Sequence, residues 1–259
     1  MVEKEFIDEL FNKYKNGRQE LSTYSSYVSG SQYTLLFQKS RKYLKTAQNI
    51  LDWGSGNGHY SLFLRRMQKT VKAYCFESTN IPELQNDDCY EATFGSTKDP
   101  IILPYESLTF DAVVSVGVLE HVRETGGNEI KSLCEINRLL KDNGIFICYH
   151  LPNYYSWIEY VVKKIKPSQY VHPYKYKRKD IIDMLVSTRF KIIEIKRYGI
   201  LPRNIFGTKL IPEGFKNSPL LSDIYNSIDM ILSLMFSFIC QNFLIIAKKD
   251  LAADRYSET

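Results

Sequence analysis

The run Asn49-Ile50-Leu51-Asp52-Trp53, followed directly by Gly54-Ser55-Gly56-Asn57-Gly58, constrains this chain more than any other feature. A short apolar run that ends in clustered glycines reads as a buried strand entering a tight turn. Tyr60–Gln68 then carries Leu62, Phe63 and Met67, so the turn opens into a helix. Glycines in such a turn take positive φ and let a ligand approach the backbone, and the helix start behind them offers free N–H groups. An acid two residues before the first glycine, Asp52, is placed to hold an ammonium group. The pattern Gly-x-Gly-x-Gly alone also fits an ordinary tight turn. The nicotinamide fingerprint would put its third glycine where His59 stands. Glu77 closes the next apolar run, where a carboxylate can bind both hydroxyls of a ribose.

Strand-sized runs recur at Val71–Glu77, Cys89–Phe94, Thr109–Val116, Ile145–Tyr149, Phe190–Arg197 and Phe243–Lys248. Helical spacing predicts helices over residues 3–15, 32–46, 130–140, 153–166, 180–186 and 221–239, with Asn143-Gly144 as the turn that closes the third of these. Strands alternating with helices at this interval imply a parallel sheet covered on both faces. With 259 residues, 44% of them apolar, the chain has enough material for one such core.

In this order and spacing the segment from about 50 to 153 resembles the class I S-adenosylmethionine-dependent methyltransferases. The pieces that carry the resemblance begin with Asp52-x-Gly54-x-Gly56-x-Gly58, Glu77 and Leu103-Pro104-Tyr105 before Phe110-Asp111-Ala112-Val113-Val114. They continue with Val118-Leu119-Glu120-His121, Leu139-Leu140-Lys141-Asp142-Asn143-Gly144 and Leu151-Pro152-Asn153. The resemblance implies a Rossmann-like α/β fold with a seven-stranded, mostly parallel sheet whose last strand runs antiparallel, together with N-terminal helices and a helical cap or insertion. It divides the chain into an N-terminal helical cap (1–46), a cofactor-binding core (47–152), acceptor-side helices with the last two strands (153–249) and a tail (250–259).

S-adenosylmethionine is the cofactor so implied. Asp52, Trp53, Gly54, Ser55 and Gly56 would hold its methionine end, Glu77 and Ser78 its ribose, and Gly95 and Ser96 its adenine, with Gly117 and Val118 on the pocket floor. Relatives often carry an aspartate soon after the third strand; here Ser96 and Asp99 are the two candidates to replace it.

A sulfonium donates its methyl readily, so the protein must align the acceptor and, for a hydroxyl, remove a proton. Histidine is suited to that near neutral pH, and the chain has four: His59, His121, His150 and His172. His150 sits where the fifth strand leaves the sheet, and His172 lies in Tyr170-Val171-His172-Pro173-Tyr174, a segment where the family commonly has a histidine. These two are the leading candidates for the base. His121 reads first as a structural partner, His59 as a flank of the cofactor, and Glu120 is a weaker candidate.

Residues 160–216 hold 14 Lys or Arg against 4 Asp or Glu, a local +10 that leaves −5 for the rest of a chain whose net charge is +5. That is either a solvated face or an attraction to an anionic partner. The expected reaction is O-methylation of a small-molecule or glycan acceptor, such as a sugar or cell-envelope glycan precursor, anionic or carrier-linked. A quinone or other lipid-like acceptor is the alternative, and an inactive cofactor-binding module the third reading. No nucleic-acid partner is expected: no RNA-binding module is present, and Ser115-Val116-Gly117-Val118 stands where base amino-methylating enzymes carry Asn-Pro-Pro-Tyr.

The five cysteines show no C-x-x-C spacing and read as reduced core thiols, with no metal site expected. The polar N-terminus lacks a secretory pattern, so the expected location is cytoplasmic. The apolar stripe Ile224, Ile228, Ile231, Met235 and Phe238 reads first as a buried core or cap helix. A homodimer face or a peripheral contact with the inner face of the membrane are the alternatives.

Overall fold

The computed structural model describes residues 2–14, 23–24, 26–76, 81–95, 100–203, 206 and 211–250. The strands are β1 (Asn49–Trp53), β2 (Thr70–Cys75), β3 (Tyr90–Phe94), β4 (Phe110–Val116), β5 (Leu140–Pro152), β6 (Phe190–Tyr198) and β7 (Asn242–Lys249). They form one sheet in the order β3-β2-β1-β4-β5-β7-β6. The first five are parallel, and β7 pairs antiparallel with both β5 and β6. The expected seven-stranded Rossmann-like α/β fold is therefore the observed one.

The helices are α1 (Val2–Tyr14), α2 (Tyr27–Gly30), α3 (Thr34–Tyr43), α4 (His59–Arg66), α5 (Pro82–Gln85), α6 (Glu129–Leu139), α7 (Trp157–Ile165), α8 (Arg178–Ser187), α9 (Glu213–Lys216) and α10 (Pro219–Met235). Alternation along the central strands builds two cores, because successive side chains leave a strand on opposite faces. Ile50, Ala112, Val114, Ile147, Leu244 and Ile246 pack with Phe6, Leu10, Phe37 and Phe63 of α1, α3 and α4. Leu51, Val113, Phe146, Cys148, Phe243 and Ile245 pack on the other face with Leu133, Ile136 and Leu139 of α6 and Ile181 and Leu185 of α8.

Several expectations need correction. The helix expected from 153 starts at Trp157, because Ser156 caps it by accepting the Glu159 N–H and the preceding residues bridge to Tyr176. Asn143-Gly144 falls within the bounds of β5, in the stretch left unpaired between Leu140 and Ile145 where Asn143 takes a left-handed φ of 62°, so the expected turn interrupts the strand rather than preceding it. Cys75, Cys148 and Cys240 are buried, but Cys89 and Cys134 are exposed, so the thiols are free without all being core residues.

The largest correction concerns α10. Its buried residues are Ser222, Asp229 and Ser233, while Ile224, Ile228, Ile231 and Met235 face outward. The polar side is drawn in by specific partners. Asp229 accepts the N–H groups of Ile200 and Leu201 (2.9 and 2.7 Å) and pairs with Arg203, and Ser222 donates to Ser31 Oγ (2.9 Å). The stripe read as a core face is thus exposed. No helix among the described residues is long and apolar enough to cross a membrane.

Candidate functional site

The strand order reverses between β1 and β4, and open α/β sheets bind ligands outside the carboxyl ends of the strands at such a point. The glycine turn stands there. Gly54, Gly56 and Gly58 all have positive φ, at 74°, 49° and 75°. A Cβ on Gly54 would collide with both γ-methyls of Val118, which follows β4. At Gly56 a Cβ would meet nothing nearer than the Gly54 carbonyl oxygen at 3.9 Å, so the space beside this residue is open.

The flanking residues hold the turn in place. The N–H groups of Gly54 and Ser55 donate to the Tyr74 carbonyl at 2.7 and 3.2 Å. Asp52 is buried and accepts the Ser61 hydroxyl at 2.6 Å. Burial pushes its carboxyl up to about 7, against the hydrogen bonds from the Ser61 side chain and backbone. Trp53 is buried on the opposite face. Ser55 is also buried, and its Oγ has no hydrogen-bond partner among the described residues. An orphan hydroxyl, open space at Gly56 and the start of α4 make a cradle that suits the polar end of a bound cofactor.

Gly95 follows β3 and donates its N–H to the Cys75 carbonyl (2.8 Å). Gly117, at φ 68°, donates to the Tyr149 carbonyl (2.9 Å) and leads into Val118. Glu77, Ser78, Ser96 and Asp99, the candidates for ribose and adenine, lie outside the described residues.

The two leading histidines occupy different surroundings. His150 sits at an irregularity of β5 against β7, with a left-handed φ of 71°. Its backbone N–H donates to the Tyr198 hydroxyl, which also lies 3.0 Å from Nδ1. Tyr33 and Tyr149 flank the ring. Burial, with the nearby His59, His172 and Arg203, pushes its pKa down to about 3, so it stays neutral. It opens onto a cleft of about 410 Å³ between α1–α3, the β6–β7 edge and α10, whose lining includes Lys196, Arg197 and Arg203.

His172 does not line that cleft; it sits beside His121, with ring centroids 5.6 Å apart. Its Nδ1 bonds to Glu159, which also pairs with Lys175 at 2.8 Å. Burial works against protonation of His172, but Glu159 outweighs it and the pKa is raised. Glu120 is buried, with one carboxylate oxygen unpartnered among the described residues.

Sequence reasoning missed Tyr33, Tyr198 and Glu159. Glu159 stands three residues after the capping Ser156, the spacing of a capping box, so a local role hid its long-range one. Tyr33 and Tyr198 reach His150 only through the tertiary fold.

Residues 51–148 match the family model described as a methyltransferase domain. Over 140 residues the chain is 34% identical to an uncharacterized protein of Methanocaldococcus jannaschii, covering 48% of this chain and 51% of that one. The chain thus spans about half the length of this curated relative. Its fold is similar to an Archaeoglobus fulgidus SAM-dependent methyltransferase, with TM-score 0.51 at 17% identity, covering 83% of this chain and 94% of the other. A Burkholderia thailandensis 1,6-didemethyltoxoflavin-N1-methyltransferase, solved with 1,6-didemethyltoxoflavin and S-adenosylhomocysteine, gives TM-score 0.53 at 14% identity and covers 96% and 87%.

Residues 51–148 are thus similar to a methyltransferase domain, and the fold is shared with solved methyltransferases.

Proposed function

We propose that the whole protein transfers a methyl group from S-adenosylmethionine to an oxygen of a small-molecule or glycan acceptor. The observation that carries this reading is the left-handed glycine turn locked against Val118 at the point where the strand order reverses. Asp52, Trp53, Gly54, Ser55 and Gly56 hold the methionine end of the cofactor. Glu77 and Ser78 take the ribose, Gly95 and Ser96 the adenine, and Gly117 and Val118 the floor. When bound, the cofactor supplies an electrophilic methyl on a sulfonium.

The acceptor enters at the carboxyl edge of β4 and β5. His172, oriented by Glu159, activates it. His150, held neutral, orients it from the aromatic side. An anionic or carrier-linked acceptor, such as a sugar precursor, is supported by Lys196 and Arg197 in the cleft, neither of which forms an ion pair among the described residues. Met230 and Leu234 of α10 are exposed and line the same cleft beside the outward apolar stripe, which supports peripheral contact with a membrane that presents such an acceptor. A lipid-like acceptor suits the same wall.

A screen for S-adenosylhomocysteine release with anionic sugar precursors tests the reaction. His172→Ala is expected to lower turnover by about 10²–10⁴-fold with cofactor affinity intact. Full activity in His172→Ala, or no release with any acceptor of this class, contradicts the assignment.

A further inference from the structure

We propose that Glu120, His121 and His172 form a binding site for one divalent transition-metal cation on the acceptor side of the cofactor pocket. The three residues come from two segments, the turn after β4 and the loop before α8. They present one ligand atom each, all within 4.8 Å of one another. Atoms so spaced lie within about 2.8 Å of a common centre, and small rotations close that to the roughly 2.0–2.2 Å of imidazole and carboxylate ligands.

Two observations distinguish this cluster from a chance meeting of polar groups. The first is Glu120, only 2% exposed, whose Oε2 is buried and has no hydrogen-bond partner among the described residues. A carboxylate oxygen left without a partner in the interior is costly, and a cation would satisfy it. The second is the way both imidazoles are held. His121 Nδ1 bonds to Glu124 at 2.8 Å, and His172 Nδ1 bonds to Glu159. Each ring therefore has its Nδ1 engaged by a carboxylate and keeps Nε2 for a metal. Histidines that ligate metals are oriented in this way, the outer carboxylate fixing tautomer and ring direction. Two imidazoles and one carboxylate leave coordination positions open and favour zinc, manganese or iron over magnesium or calcium.

The location gives the cation a task that rests on the methyltransferase reading. A Cβ on Gly117 would lie 3.7 Å from Glu120 Oε1, and Val118 of the same turn packs on Gly54. The cluster therefore borders the proposed cofactor site. An acceptor hydroxyl bound at an open position would lose its proton to water more readily. Its oxygen lone pair would then form the new C–O bond while the electrons of the breaking S–CH₃ bond return to sulfur. His172 would activate the acceptor by holding the cation rather than by taking the proton itself.

The test is direct metal binding by the full chain. Protein stripped with a chelator is titrated with Zn²⁺, Mn²⁺ and Co²⁺, with stoichiometry from elemental analysis and the Co²⁺ site followed by its visible absorption. The expected result is one equivalent with imidazole-type Co²⁺ bands. It should be lost in Glu120→Gln and in the His121→Ala/His172→Ala double variant, and kept in His150→Phe. Glu159→Gln, which removes only the outer carboxylate, should weaken binding about 10–100-fold. S-adenosylmethionine affinity and the melting curve of each variant are measured alongside. No stoichiometric cation in a wild-type protein that binds S-adenosylmethionine overturns the metal site and leaves the methyltransferase reading standing. Cation binding without S-adenosylmethionine binding does the reverse. Equal cation binding in wild type, Glu120→Gln and the double histidine variant also overturns the site.

Discussion

The γ-methyls of Val118 fill the space that any side chain on Gly54 would need; a Cβ there would lie 2.9 Å from Cγ1 and nearer still to Cγ2. One contact therefore joins the turn after β1 to the turn after β4. Gly54→Ala should destabilise the fold through this collision and through φ of 74°, where a side chain costs roughly 1–2 kcal/mol. Val118→Ala in the same chain should return part of the loss, since it relieves the collision but not the backbone strain. Chemical denaturation of the two single variants and the double variant measures the coupling; simple additivity contradicts it.

Gly56 behaves differently because the space beside it is open. Gly56→Val should therefore leave a folded protein and fill the volume assigned to the cofactor. We expect a melting curve within reach of wild type and S-adenosylmethionine affinity lowered at least tenfold, or about 1.4 kcal/mol. Undiminished affinity would remove the glycine turn from the binding site.

His59 is a pH-dependent weak point. Its Nε2 is buried without a partner among the described residues, beside Tyr24 and Tyr33, and burial pushes its pKa down to about 4. The unfolded chain binds the proton at about 6.5, so stability is fully present above that pH and falls as pH drops towards 4. His59→Phe keeps a ring in the cluster and removes the titration. Between pH 7 and 5 the wild type should lose about 1–2 kcal/mol more stability than the variant. Parallel pH dependence in the two proteins excludes His59 as the cause.

Asp229 turns the polar side of α10 inward. It accepts the Ile200 and Leu201 N–H groups and pairs with Arg203 at 3.2 Å. Asp229→Ala leaves these donors buried without an acceptor and should cost about 2–4 kcal/mol in denaturant unfolding. A loss under about 0.5 kcal/mol, typical of surface changes, would mean that α10 is not anchored there.

The outward side of α10 gives a separable prediction. Ile231→Glu places a charge on an exposed apolar face and should leave the melting temperature nearly unchanged, while abolishing co-sedimentation with vesicles containing anionic lipid. No vesicle binding by the wild type, together with dimers that Ile231→Glu dissociates, would instead assign the face to a second copy.

Much of this architecture was legible in the residues because it is locally encoded. The β1 strand and its glycines, the apolar runs of β4 and β7 and the stripe of α6 each announce themselves within a few residues. The direction in which α10 faces is not local. Its apolar stripe is longer than its polar one, and only the partners of Asp229 and Ser222, distant in sequence, decide which side is buried. The exposure of Cys89 and Cys134 is equally a tertiary matter. His172 is visible in the sequence as a candidate, but its grouping with Glu120, His121 and Glu159 depends on loops whose meeting no periodicity encodes.

The central claim is that this chain binds S-adenosylmethionine across the end of β1, and calorimetric titration of the cofactor into wild type and Glu77→Ala tests it most directly. Loss of the ribose carboxylate removes charge-assisted hydrogen bonds worth about 1.5–3 kcal/mol. The account predicts one site per chain in the wild type and an affinity about 10–100-fold weaker in Glu77→Ala. No binding by the wild type, or equal affinity in the two proteins, would contradict it.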